Sequence, residues 1–262
     1  MKKFGILGCG KMGGAILDGV SKFFDKQDIL ICERNPKNVE RLQSQGYELT
    51  LDATRLSKEC EVVLLSVKPQ DLNEALNGTE KGAKTLYLSI CAGLSLKSLE
   101  EILGNVAIVR AMPSTAATIG QAATCVTPNA YCTEEDVKTA KSIFSTVGKV
   151  VEIEEKFMDE IIALSGSFIA FAYYYAQGFL KQAIKDGIDE KTATALLAQT
   201  YVGAGNMMLS GKPIEQLIKD VCSKGGTTLA GLERLEKGKL HDICADCSTA
   251  CAKRSKELGE KK

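Results

Sequence analysis

Short apolar runs alternate with stretches of helical spacing through the first half of the chain. Residues 4–7, 29–32, 61–70, 86–90, 106–112 and 149–153 each hold a run short enough to be a buried strand, the third leading into a loop. Between them, Met12, Ala15, Ile16 and Val20 recur on one helical face, Pro36 sits where a helix can open, a further helix follows Ser95, and another covers residues 134–147. Strand and helix in alternation predict a parallel α/β sheet over residues 1–153. From about residue 154 the strand signal stops and helical patterns continue to the end. Residues 156–185 read as one long helix or two, and residues 189–209 as another with Asp189 as N-cap. Residues 214–221 form a short helix, and an amphipathic one carries Leu229, Leu232 and Leu235 on one face.

Punctuation at the first strand gives the pattern a function. Gly8-Cys9-Gly10-Lys11-Met12-Gly13 supplies G-x-G-x-x-G between a strand and a helix. In such a loop Gly8 permits the tight turn, Gly10 lets the backbone approach a pyrophosphate, and Gly13 lets helix and strand pack closely. The free N–H groups and positive dipole end of the new helix favour an anion. The chain therefore opens on a dinucleotide-binding Rossmann-type unit. The second strand ends at Glu33-Arg34-Asn35, where the adenosine ribose is normally met. Glu33 can accept from a ribose 2′-hydroxyl, which favours NADH, while Arg34 and Lys37 can hold a 2′-phosphate, which favours NADPH. The loops after the next two strands add Ser66, Lys68, Pro69 and Ala92 as candidate cofactor contacts.

Composition narrows the partners. Lys and Arg number 33, as do Asp and Glu, so no electrostatic footprint for nucleic acid or an anionic membrane is present. Apolar residues make up 45% of the chain, enough for a sizeable core. Residues 161–180 carry no charged side chain, but Ser165, Gly166, Ser167, Gln177 and Gly178 interrupt them and three tyrosines stand in the middle. That reads as a subunit interface rather than a membrane span. Ten scattered cysteines suit reduced thiols in a cytoplasm. His241, Cys244, Cys247 and Cys251 fall along one helical stripe, and one helix cannot easily wrap a tetrahedral ion, so they read as packing thiols and no metal is expected. Before the last amphipathic helix, Ser223-Lys224-Gly225-Gly226-Thr227-Thr228 offers N–H and hydroxyl groups. Such a turn either holds a carboxylate or simply caps a helix.

Taken together, these motifs resemble those of pyrroline-5-carboxylate reductases. The resemblance runs nearly end to end, through the glycine-rich loop, Val67-Lys68-Pro69-Gln70, Ile90-Cys91-Ala92-Gly93-Leu94, Val109-Arg110-Ala111-Met112-Pro113 and Ala163-Leu164-Ser165-Gly166-Ser167. It continues through Gln199-Thr200-Tyr201-Val202-Gly203-Ala204 and is most specific at Gly225-Gly226-Thr227-Thr228-Leu229-Ala230-Gly231-Leu232. It implies a nucleotide domain at 1–153, then an all-helical dimerisation and substrate domain at 154–262, in a homodimer that can extend to a ring of dimers. It implies NADPH or NADH as cofactor and a small cyclic imino acid as substrate, with proline as product. Thr228 is then the residue at the ring nitrogen, and Ser223 with the Gly226, Thr227 and Thr228 backbone holds the carboxylate. Ser114, Ala116, Phe168, Ile169, Gln177 and Lys224 depart from the family's usual residues near the substrate side, and so bear on the choice of substrate.

The chemistry agrees with what the chain lacks. An alcohol dehydrogenase must move a proton on and off oxygen, usually by His, Lys or Tyr. Here the lone histidine, His241, lies in a terminal helix, and residues 166–177 hold no lysine. A cyclic imine is basic enough to bind as the iminium and take hydride at carbon, with the protein supplying orientation. The competing readings are a reductase of another cyclic imine, a hydroxyacid dehydrogenase, and a non-catalytic NAD(P)-binding regulator.

Overall fold

Of the 262 residues, the computed structural model describes 2–76 and 84–260. The chain divides into two compact units, Met1–Ser167 with Thr249–Lys262, and Phe168–Ser248.

The first unit is built on one sheet. Its strands are β1 (Lys2–Leu7), β2 (Ile29–Cys32), β3 (Glu48–Thr50), β4 (Cys60–Leu65), β5 (Leu86–Ser89), β6 (Ile108–Pro113), β7 (Ala122–Pro128) and β8 (Gly148–Glu152). Among the described residues they pair in the order β3-β2-β1-β4-β5-β6-β7-β8. Pairs from β3 to β6 are parallel, β6 and β7 run antiparallel, and β7 and β8 are again parallel. The expected parallel sheet is therefore interrupted once. Sequence patterning did not mark β3, β7 or the helix α3 (Ala53–Glu59), because β3 is short and partly exposed, and β7 is made of small residues ending in proline.

Both sheet faces are covered, which is why the central strands are apolar throughout. Phe4 and Ile6 of β1 join a core with α1 (Lys11–Val20), which supplies Ala15, Ile16, Leu17 and Val20. Leu42 of α2 (Pro36–Ser44) and Ala140, Ile143 and Phe144 of α6 (Glu134–Ser145) complete that layer. Leu7 turns to the other face, where Leu56 of α3, Leu72 of α4 (Pro69–Ala75) and Leu99 and Leu103 of α5 (Leu96–Leu103) pack. Four helix starts are fixed by side chains as the sequence allows: Asn35, Asp52 and Ser95 accept from the first turns of α2, α3 and α5, and Thr133 with Asp136 makes a capping box on α6.

The second unit holds α7 (Phe168–Lys185), α8 (Glu190–Met208), α9 (Ile214–Val221), α10 (Thr227–Lys237) and the first part of α11 (Leu240–Glu260). Asp189 caps α8 by accepting from Thr192 N at 3.0 Å. Tyr201 Oη donates to the Ala172 carbonyl at 3.1 Å and ties α8 to α7. The one or two helices expected over residues 156–185 are resolved into short 3-10 turns followed by α7. The break falls at Ser165-Gly166-Ser167, where the Ser165 hydroxyl bonds back to the Ile161 carbonyl at 3.2 Å. Among the described residues, no helix is long and apolar enough to cross a membrane.

The C-terminal part of α11 belongs to the first unit. Ser255 Oγ donates to Asp159 Oδ1 at 2.6 Å and Lys256 pairs with Glu160 at 2.7 Å.

Candidate functional site

Sheet order places a topological switch at β1, whose neighbours β2 and β4 leave in opposite directions along the sheet. The carboxyl ends there are level: Leu7 pairs with Cys32 on one side and Leu65 on the other, and Leu65 pairs with Ser89. The residues that follow, Gly8, Glu33, Ser66 and Ile90, therefore leave the sheet along one edge. Gly8 N donates to Cys32 O at 2.8 Å and Ser66 N to Leu7 O at 2.9 Å, which carries the ladder one residue into the loops.

The three glycines of the loop differ in what they exclude. Gly8 adopts φ +82°, a left-handed conformation, and a Cβ there would stand 2.6 Å from Val67 Cγ1. A Cβ at Gly13 would overlap the Ser66 hydroxyl and lie 2.7 Å from the Gly8 carbonyl. Among the described residues, a Cβ at Gly10 would meet nothing within 4 Å. Gly8 and Gly13 are thus required by the protein's own packing, whereas the space kept open at Gly10 faces outward. Gly10 is also the N-cap of α1, with no side-chain cap and no acidic residue in the first turn. The amides there remain available, an arrangement that fits a dinucleotide pyrophosphate.

Side chains around the loop lock it. Ser66 Oγ donates to the Gly8 carbonyl. Cys9 is fully buried in the core, where burial pushes its thiol up to about 11. Its N–H donates to Glu33 Oε2 at 2.8 Å, and its carbonyl accepts from Arg41 Nη2 at 3.3 Å. Glu33 also takes Asn38 Nδ2 at 3.0 Å, Arg34 N at 2.9 Å and Asn35 N at 2.8 Å. Asn38 and Arg41, three apart on one face of α2, were not among the residues expected at the site. Their spacing is visible in the sequence, but nothing there shows that this face meets the glycine-rich loop.

Lys11, Arg34 and Lys68 are exposed, Met12 is half-buried, and Ala92 is exposed in the loop after β5. Arg34 reaches Glu74 at 3.2 Å with both side chains largely in solvent, a pair worth little. Lys68 is the N-cap of α4 and Pro69 its first residue.

The second cluster lies in the other unit. Ser223 O accepts from Gly226 N at 2.9 Å, and Gly225 has φ +72°, which closes a tight turn. A Cβ at Gly226 would overlap the Ser223 hydroxyl. Gly226 is the N-cap of α10 and makes no side-chain cap, so Thr227 and Thr228 occupy its first two positions. Ser223 and Thr227 are exposed and Thr228 half-buried. Of the expected departures from the family, Ser114 is buried and its hydroxyl accepts from Ala123 N at 3.1 Å. His241, Cys244, Cys247 and Cys251 share the single helix α11, and among the described residues no group of three or more His, Cys, Asp or Glu side chains is disposed to hold a metal.

Two family models match the chain: pyrroline-5-carboxylate reductase dimerisation over residues 155–258, and NADP oxidoreductase, coenzyme F420-dependent, over residues 3–93. The chain is similar to pyrroline-5-carboxylate reductase 2 of Bacillus subtilis, with 33% identity covering 99% of this chain and 96% of that protein. Among solved structures it is similar to a pyrroline-5-carboxylate reductase from Coxiella burnetii, with a TM-score of 0.91, 29% identity and 99% of each chain covered. It is also similar to Plasmodium falciparum pyrroline carboxylate reductase with NADP bound, with a TM-score of 0.87 and 28% identity, covering 99% of this chain and 98% of that one.

Proposed function

Because the chain belongs to the pyrroline-5-carboxylate reductase family, we propose that it reduces 1-pyrroline-5-carboxylate to L-proline, the last step of proline biosynthesis, with NADPH or NADH as donor. The observation that carries this reading is the turn at residues 223–228. With Gly226 as an uncapped helix start, the first amides of α10 stand beside the hydroxyls of Ser223, Thr227 and Thr228, a set that fits a small carboxylate. The nucleotide domain at 1–153 and the helical dimerisation and substrate domain at 154–262 then have separate duties.

In this reading the amides from Gly10 to Met12 hold the pyrophosphate, Gly8, Cys9 and Gly13 shape the loop, and Arg34 and Asn35 lie at the adenosine end. Ser66, Lys68, Pro69 and Ala92 line the nicotinamide half. The bound nicotinamide supplies the hydride. Ser223 and the backbone of Gly226, Thr227 and Thr228 hold the substrate carboxylate. The ring nitrogen, protonated as iminium, donates to Thr228 Oγ, which fixes the orientation of the acceptor carbon. No proton is moved on or off oxygen, so the site needs no histidine or lysine as general acid.

The helical domain serves a homodimer. Tyr173, Tyr174, Leu196, Val202 and Leu209 are exposed large apolar side chains of the second unit, and Tyr174 keeps 80% of its surface. Such a surface fits a second copy of the chain, and rings of dimers are its natural extension. The ten cysteines, scattered through the chain, support a reducing, cytoplasmic setting for the enzyme.

Thr228→Ala tests the substrate site. Loss of one positioned hydrogen bond should cost about 1–3 kcal/mol in the transition state, a roughly ten- to hundredfold fall in turnover of pyrroline-5-carboxylate. NADPH affinity and melting temperature should hold, since Thr228 is not the N-cap of α10. A folded Thr228→Ala protein that works at the parent rate would show that the substrate site is misplaced.

A further inference from the structure

Glu33 closes β2 with 7% of its surface exposed. A carboxylate offers about four acceptor positions, and four donors of the chain fill them: Cys9 N and Asn38 Nδ2 on Oε2, and Arg34 N and Asn35 N on Oε1. The Cys9 residue it grips is held at its carbonyl by Arg41. The middle of the glycine-rich loop is therefore clamped at N–H and C=O by the β2–α2 segment. Four N–H dipoles also converge on the charge and neutralise much of its outward field.

We propose that Glu33 is a positioning residue for the cofactor site: it holds the glycine-rich loop and the β2–α2 turn in the shape that receives the dinucleotide, and it does not read the ribose 2′-hydroxyl. Reading the 2′ position then falls to Arg34 and Lys37, both exposed beside it, with the Arg34 guanidinium held by a solvent-facing pair with Glu74. This deepens the cofactor assignment above and rests on it. It predicts an enzyme in which the acidic residue after β2 does not exclude NADPH, because its charge is spent inside the chain.

Glu33→Gln tests the assignment, since the amide keeps the size but turns a donor towards donors. The apoprotein should melt several degrees lower. In steady-state assays with pyrroline-5-carboxylate, KM for NADPH and for NADH should rise by a common factor of about tenfold, with kcat at saturation retained. The ratio of the two kcat/KM values should stay within about twofold of the parent's. A shift of that ratio towards NADPH by tenfold or more would show instead that Glu33 reads the 2′-hydroxyl by charge. An unchanged melting temperature would remove the clamp, and a lowered one with both KM values unchanged would make Glu33 structural only; each overturns the proposal. If Glu33→Gln does not fold, Asn38→Ala frees one carboxylate position and gives the same comparison with smaller effects. A parent protein that binds neither cofactor would sink the cofactor assignment, while the melting of the apoprotein would still judge the clamp.

Discussion

Gly10→Val should give a folded protein that no longer binds NADPH. Among the described residues a Cβ at this position meets nothing within 4 Å, and the backbone there is extended, at φ −72° and ψ −154°, with no left-handed conformation to forbid a side chain. No described neighbour crowds the Cβ of the substituted residue. The branched side chain would instead fill the space kept open at the start of α1, where the pyrophosphate must approach the backbone. A bulky group there forces the phosphates off the helix amides, and the loss should exceed about a hundredfold in affinity, or roughly 3 kcal/mol. Titration calorimetry with NADPH, beside a thermal melt, separates binding from folding. Gly13→Val is the contrasting control: its side chain would collide with Ser66 and the Gly8 carbonyl, so it should lower the melting temperature as well. Undiminished NADPH affinity in Gly10→Val would contradict the nucleotide assignment.

Arg110→Met should be the most destabilising single change outside the apolar core. Arg110 stands in the middle of β6 with 4% of its side chain exposed. Its guanidinium meets Glu155 at 2.8 Å and Asp159 at 3.6 Å. Glu155 Oε1 also accepts from Leu96 N at 2.9 Å, while its Oε2 is buried and has no hydrogen-bond partner among the described residues. Asp159 in turn receives the Ser255 hydroxyl of α11. Removing the arginine leaves two carboxylates without their countercharge, and the segment that fastens the end of α11 loses its anchor. Breaking a buried pair in this way costs 3–5 kcal/mol when both partners are buried. Here Glu155 and Asp159 are 32% and 25% exposed, so about 2–4 kcal/mol is expected, a fall of roughly 5–15 °C in melting temperature. Adding Glu155→Gln should recover part of the loss, because it removes one of the stranded charges. A melting temperature within a degree or so of the parent's would show that the guanidinium carries no structural charge.

Much of this was legible from the sequence where local pattern and tertiary duty coincide. The run 4–7 is a buried strand because it is an interior strand of a covered sheet, and the three glycines after it carry the spacing that nucleotide loops need. The turn at 223–228 was legible as either a carboxylate site or a plain helix cap, and the family resemblance is what favoured the ligand over the cap. Elements defined by long-range pairing were not legible. β7 is a strand because residues 122–128 return antiparallel along β6, and its small residues carry no alternation strong enough to say so. Residues 161–180 are continuous in hydropathy, yet the chain breaks them at Ser165-Gly166-Ser167, where side-chain and backbone hydrogen bonds turn back on the preceding 3-10 segment. Glu33 is the sharpest case. Its position after β2 makes it a candidate ribose acceptor by the motif, beside Arg34 and Lys37, which favour a 2′-phosphate. Only the packing of α2 against the loop reveals Asn38 and Arg41, and with them a carboxylate already filled by the chain.

Hydride transfer to the imine carbon is tested most directly with NADPH carrying deuterium at both C4 positions. Incubated with pyrroline-5-carboxylate and the enzyme, it should yield proline bearing one deuterium at carbon 5, seen by mass spectrometry and proton NMR, at a rate equal to cofactor oxidation. Proline that forms without the label, or cofactor that is consumed only with a 2-oxo acid and delivers its deuterium to a 2-hydroxy acid, would contradict the assignment of this chain as a pyrroline-5-carboxylate reductase.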